Sequence, residues 1–562
     1  THVSMQRPVL PFAALVGLCG SLFVPLFAQP KVEEALLGPY DPSKTPPSFS
    51  RNGMHIAIPA AKGSRTVIIV DGVEGPRIDR IQNTVLFSDD GLRHAYVGMV
   101  GTEAILVLDG KEVARLPAEQ GMASIQDLVF SPQGKRFCYQ RKEERGAISR
   151  LVMDGQIGEP YQSIQNLVFS PDETRFAYLG SKGDATGKMN LVVDGKDVGY
   201  QGVNPQFSPD GRTVVTVGHT PTESVLLMNG KPGSRAKSIR GVHMSKAGVN
   251  LLVIGKNPGN ADNGEFIGSG GKKIEGTDCD RVEWLKFSPD GKRYAALCSV
   301  GGGVKYLVID GKKGDTYEGI TDFKFSDDSK RTMFFGRTSA GTFLVIDGEE
   351  SDAYVNYQRP SFGGGGKRAG YIGGIAGSRA VDVVVDGRIT KLNGGTGLEF
   401  SPDGNRYAVI ASDGFFGALY LDGVEQPGVT VIPPNNPASD APWVAFSPDG
   451  KHVAHFGALG NARDKRGLIV DGKMLGGMNG LYRAATFSPD GLHVFAFSQN
   501  PGNGKAFALL VDGKPVVVFD FLPFSNVGAP GPVYPAAMGD DGVFTFIGGQ
   551  DGVFKRFRVT AM

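Results

Sequence analysis

Phe287-Ser-Pro-Asp-Gly-Lys-Arg-Tyr-Ala295, with Leu307-Val-Ile-Asp-Gly311 after it, is one copy of a pattern that fills the chain. Phe-Ser-Pro-Asp-Gly stands intact at Phe207, Phe287, Phe400, Phe446 and Phe487. It is looser at Phe49, Phe87, Phe130, Phe169 and Phe325, and worn at Met244, Phe362 and Met538. A hydrophobic run closed by Asp-Gly follows most copies after 22 to 25 residues, as at Asp71, Asp154, Asp310 and Asp512, with Asn229-Gly230 as an equivalent. A period of about forty residues decides the architecture before any local reading.

Asp-Gly or Asn-Gly between alternating apolar runs marks a two-residue hairpin, because both turn residues need positive φ. In one unit the runs Arg175–Gly180, Met189–Val193, Val198–Val203 and Pro205–Phe207 give four short strands joined by tight turns. Four antiparallel strands repeated at this period predict propeller blades. The chain ends supply two partial units: Ala35–Tyr40 and Pro47–Ser50 match the second half of one unit, and Val543–Ile547 with Val553–Thr560 match the first half. Joining them removes an open sheet edge. The expectation is an all-β chain of tandem β-propellers with about 13 four-stranded blades, one of them shared by the N- and C-terminal strands. Typical rings hold about four to eight blades. Two rings of seven and six are therefore expected, 31–291 closed by 543–562 and 292–542, with the junction in the eroded range 245–330.

The charge balance of 59 Lys+Arg against 58 Asp+Glu leaves no field to hold nucleic acid or an anionic bilayer. Residues 1–30 read differently. Arg7 precedes an uncharged apolar stretch from Val9 to Ala28, the layout of a signal peptide or, if retained, of an N-terminal anchor. A periplasmic or secreted location follows as an expectation, with membrane contact only through residues 9–28. Cys138, Cys279 and Cys298 show no Cys-x-x-Cys spacing, so neither a zinc site nor a disulfide framework is predicted. Cys279 and Cys298 stand close enough for one bridge, with buried free thiols as the other reading.

The string Phe287–Ala295 resembles the WD-like propeller repeat of TolB-type periplasmic proteins, which also occurs in propeller domains of prolyl oligopeptidase and tricorn relatives. The resemblance implies a propeller and leaves function open, since one fold hosts many activities. No counterpart of the hydrolase domain of those peptidases, and no separate N-terminal domain like that of TolB, is recognisable in the sequence.

Catalytic machinery is not visible. There is no Gly-x-Ser-x-Gly elbow, His-Glu-x-x-His, phosphate loop or haem motif, and no cofactor or metal is predicted. The repeated aspartates fit turn geometry. A basic residue follows the leading Phe of most units by six positions, as in Arg93, Arg136, Arg175, Arg293, Arg331, Arg368, Arg406, His55, His452 and His493. Pairing with a turn aspartate is the expected role, and a ring of cations binding an anion is the competing one. The oxygen-rich run Asn257–Glu265 is expected to be a polar hairpin tip. Two units are lengthened after their Asp-Gly turn and carry aromatics there: Phe519, Phe521, Phe524 and Tyr534 in one, Trp443 in the other. Long loops on a regular scaffold tend to carry function, so these five residues are the candidate partner-binding surface. The functional expectation is a non-enzymatic binding or scaffold protein of the cell envelope that engages protein partners. The alternative is an enzyme or small-ligand-binding protein with its site in a central channel.

Overall fold

The structure is a computed structural model that describes residues 30–39, 46–118, 125–143, 147–183, 189–220, 222–246, 251–256, 264–269, 272–275, 277–394, 397–412, 417–432, 444–460, 466–477, 485–499, 507–520 and 536–561. Two short turns explain most of it. In the Asp-Gly turn, Asp154 and Gly155 both take positive φ, 49° and 82°. The Asp154 N–H donates to the Phe137 carbonyl at 2.9 Å, and its Oδ1 accepts the Phe137 N–H at 2.9 Å. One aspartate thereby makes the hairpin and ties it to the start of the second strand. In the Ser-Pro-Asp-Gly turn, Ser288 Oγ donates to Asp290 Oδ1 (2.7 Å) and accepts the Arg293 N–H (3.0 Å), while Asp290 Oδ1 also accepts the Lys292 N–H (3.0 Å). The closing glycine answers two demands. Gly450 has φ 72°, and a Cβ there would lie 2.7 Å from Asp403 Oδ1 in the preceding unit's turn.

These turns fold the described strands into antiparallel meanders. Ten sheets have four strands, one has five, and one of eight joins the meanders 397–431 and 444–477. The last sheet in the circuit is shared: Ala536–Met538, Val543–Gln550 and Val553–Thr560 are completed by Lys31–Pro39, which pairs with Val553–Thr560. The fourth strand of most meanders is an exposed edge, as in Lys312–Tyr317. A register shift recurs just beyond the Asp-Gly hairpin, between Arg150 and Val152, Tyr306 and Val308, and Ala418 and Tyr420. Bulges of this kind twist an edge away from further pairing.

Each sheet buries apolar side chains on both faces, and each hydrophobic cluster joins one unit to the next. Cys138, Leu151 and Met153 of 125–161 pack on Tyr178 and Val192 of 163–201. Ala295 and Leu307 of 281–317 pack on Phe334 and Val345 of 319–350. The circuit closes where Phe495, Phe497 and Phe519 of 486–519 meet Phe544, Phe546 and Phe557 of the shared sheet, which packs in turn on Phe49 and Ile56 of 48–74. Four-stranded meanders packed face to face in a closed series are the β-propeller arrangement. Leu252 and Ile254 of 238–273 pack on Val282 and Tyr294 of 281–317, and the whole chain reads as tandem β-propellers.

The shared sheet generates a test. Phe557 is fully buried, 4.9 Å from the Phe546 ring. Phe557→Ala is expected to cost about 3–5 kcal/mol of stability. Removal of residues 553–562 should lower the melting temperature further, because it takes away a strand paired on both sides. An unchanged melting curve in circular dichroism would count against closure through the two ends.

Candidate functional site

A meander has two ends. The first-to-second and third-to-fourth strand turns lie at one, and the second-to-third turns and the links between units lie at the other. At the first end the basic residues are committed to the fold. Arg293 Nε donates to Asp310 Oδ2 at 2.7 Å, Nη1 reaches the Ser329 carbonyl of the next unit at 3.2 Å, and the guanidinium lies 5.5 Å from the Phe325 ring. Arg93, Arg136, Arg175, Arg331, Arg368 and Arg406 repeat the arrangement with Asp109, Asp154, Asp194, Asp347, Asp386 and Asp422. His55, His452 and His493 place Nδ1 2.6–2.8 Å from Asp71, Asp471 and Asp512. The arginines clamp one blade to the next. A cleft of about 560 Å³ between 281–317 and 319–350 lies at this end, but Arg293, Asp310, Arg331 and Asp347 in its wall are already paired.

One clamp is built across two blades. Gln133 stands where other units have the turn aspartate, and Glu173 of the next unit stands where they have glycine. Glu173 is buried, and its carboxylate accepts the N–H groups of Gln133 and of Lys135, the latter at 3.1 Å. The acceptor missing from one turn is thus supplied by its neighbour. Reading each repeat alone could not find this, although the two departures from the pattern in adjacent units are its signal.

The other end carries the connections of variable length. The long links 433–443 and 521–535 both depart from it, after Val431–Ile432 and Phe519–Asp520, and return to it at Val444 and Ala536. Phe521, Phe524, Tyr534 and Trp443 lie outside the described residues, as does 257–263 of the polar tip. Phe519 corrects the expected surface. It ends the strand Lys514–Phe519, is 1% exposed, and packs against Phe497, Phe507 and Phe546. The alternation Val517, Phe519 points it into the seam, so it supports the fold and is not a contact residue.

A cleft of about 680 Å³ opens at this variable end between 319–350 and 356–393, lined by Arg337, Tyr354, Asp382 and Lys391 among others. Asp382 is a buried carboxylate on a third strand, at the position that holds Val67, Ile105 and Ala418 in other units. Tyr354 OH donates to Asp382 Oδ2 at 3.1 Å, and Lys391 Nζ lies 3.2 Å from Oδ1 with most of its own side chain in solvent. Burial and the Asp382 carboxylate push the Tyr354 hydroxyl well above the ordinary tyrosine value. The cleft offers hydrogen-bond donors and acceptors, with Tyr354, Asp382 and Lys391 joined in one network. First strands add Asp127, Asn166, Asn204 and Asp322, each at positive φ within a bulge, with Asn166 Nδ2 donating to Asn204 Oδ1 at 3.4 Å. Among the described residues no three His, Cys, Asp or Glu gather as metal ligands, and no helix is long and apolar enough to cross a membrane.

Neither a protein-family model nor a curated protein matches the chain. Solved structures similar to it include a eukaryotic initiation factor at 15% identity, covering 68% of this chain and 95% of that one with a TM-score of 0.28. The Dos1 propeller aligns at 11% identity over 58% and 97% with a TM-score of 0.25. The tricorn protease aligns at 14% over 91% of this chain and 60% of its own, with a TM-score of 0.23.

Two measurements follow from the geometry. Glu173→Gly orphans two N–H groups and is expected to cost about 1–3 kcal/mol. Gln133→Asp alone sets a second carboxylate against Glu173 and should also destabilise, whereas the double variant restores the usual turn and should recover much of the loss. A double-mutant cycle by denaturant unfolding reads the coupling, and additive losses would refute it. His455 supplies the second. Its Nε2 is buried without a partner, and burial pushes the imidazole down from 6.5 to about 4. The unfolded chain therefore takes up this proton first as the pH falls. Stability contributed by the neutral ring is present above pH 6.5 and is lost between 6.5 and about 4, by an amount on the order of 3 kcal/mol. His455→Leu should flatten that part of the stability profile.

Proposed function

We propose that this chain is a non-enzymatic binding or scaffold protein of the cell envelope, periplasmic or secreted, that holds a protein partner at the variable end of its blades. The observation that carries the reading is the division of labour between the two ends. Cations at one end are spent on neighbouring aspartates and carbonyls, as Arg293 is on Asp310 and Ser329. The connections that exceed the repeat, with their extra aromatic residues, leave from the other. The apolar leader Val9–Ala28 and the TolB-type repeat support an envelope location.

A second reading is favoured by the Asp382 cleft, whose buried carboxylate has no counterpart in the repeat. There the chain would bind a small polar ligand, or act on one. Partner capture separates the two. With the full chain as bait, Phe521→Ser/Phe524→Ser should lose a co-purifying protein by at least tenfold while the melting temperature stays unchanged, since central aromatic anchors commonly carry about 2 kcal/mol or more each. Retained capture at a normal melting temperature would exclude these aromatics as the contact. A peptide or sugar turned over by the bait, with no protein captured, would favour the second reading.

A further inference from the structure

The 238–273 blade lacks the arginine clamp on both sides. Thr213 and Asn229 occupy the clamp positions of the blade before it, and its own sequence supplies neither the basic residue nor the Asp-Gly turn. Its seam with 281–317 is held by other means. Arg240 makes a two-pronged ion pair with the buried Glu265 (2.8 and 2.9 Å), Glu265 Oε2 accepts the Val282 N–H at 2.8 Å, and Arg240 also reaches the Val282 carbonyl. In the same seam Cys279 and Cys298 are buried in one cluster with Leu252, Ile267, Tyr294 and Tyr306. Cys279 pairs with Glu265 across an isolated bridge, and Cys298 lies on the second strand of 281–317 opposite Val282 and Tyr306. The two thiols share that one buried cluster, while Cys138 is buried alone in another seam with its Sγ 3.7 Å from the Val129 carbonyl.

We propose that Cys279 and Cys298 form a disulfide that staples the 238–273 blade to 281–317 in place of the missing clamp. Two thiols buried in one cluster, on elements that face each other across one seam, are placed to approach a bond length of about 2.05 Å. The interaction between the two thiols lowers Cys298 below its ordinary value and raises Cys279, so Cys298 is the first to ionise. The Cys298 thiolate attacks one sulfur of a low-molecular-weight disulfide such as oxidised glutathione and expels one thiolate. Cys279 then loses its proton, attacks the mixed disulfide at the Cys298 sulfur and expels the second. Two electrons and two protons leave the protein, and the small disulfide is reduced to two thiols. An oxidising compartment would keep the bond closed.

The test refolds the full chain in a glutathione buffer, which gives the oxidant access to both thiols before the seam closes. The protein is then alkylated under denaturing conditions and its mass and peptides are read. Two fewer alkylated cysteines than in the fully reduced protein are expected, with 279 and 298 in one linked peptide pair. The melting temperature should fall when reductant is added. Cys279→Ala and Cys298→Ala should each abolish the protection and the reductant sensitivity, and Cys138→Ala should keep both. Full alkylation of the refolded wild type, or a link through Cys19, Cys138 or a second chain, overturns the proposal, and this wild-type readout does not depend on whether the variants fold.

Discussion

A four-stranded sheet with apolar residues on both faces cannot stand in water alone, and everything else in this molecule answers that constraint. Each sheet is covered by its two neighbours, so no unit has a core of its own. The cores are the seams, such as Cys138, Leu151 and Tyr178 between 125–161 and 163–201. Stability is then a sum over seams as much as over units, and the series must close or leave two apolar faces bare. Joining Lys31–Pro39 to Val553–Thr560 provides that closure through backbone hydrogen bonds.

The arginine clamps add direction to the packing. Each guanidinium belongs to one blade by its aspartate and to the next by a carbonyl and an aromatic face, so the register of neighbouring sheets is set at one end only. Exposed ion pairs are individually weak. Here the planar guanidinium combines a carboxylate, a carbonyl and a ring in one geometry, as Arg406 does with Asp422, Lys451 and Phe446. With one end fixed, the other is free to vary in length and composition without disturbing the seams. Where the clamps fail, around 238–273, the bidentate Arg240–Glu265 pair shows that a different polar device can fill the same structural need.

What was legible in the sequence was local or repeated. Asp-Gly and Ser-Pro-Asp-Gly specify their turns within a few residues, and the pairing of the basic slot with the turn aspartate follows from its recurrence. Shared closure was legible because the two chain ends carry complementary halves of one unit. Features that depend on a neighbouring blade were hidden. The exchange between Gln133 and Glu173 spans two units, and the bulges at Asp127, Asn166, Asn204 and Asp322 fall in first strands whose pattern looks regular. Phe519 was assigned to a loop because its unit is lengthened, yet Val517 and Phe519 continue the inward alternation of the strand before them. The carboxylate of Asp382 stands where the other Asp-Gly units carry no acidic residue, a departure visible only once the third strands are aligned on their turns.

The shared sheet also sets an order of events in synthesis. Lys555 Nζ lies 3.0 Å from Glu34 Oε2, a contact between groups 521 residues apart. The strand Lys31–Pro39 is made early and cannot find its partner until nearly all the later blades exist. Closing so long a loop costs little more entropy than closing one of half the length, about 0.6 kcal/mol by the logarithmic law. The delay is the larger matter. Throughout that interval an unpaired strand and the apolar faces beside it remain open, a template for pairing with other nascent chains. A protein closed in this way needs its first strand shielded during translation more than it needs any single seam to be strong.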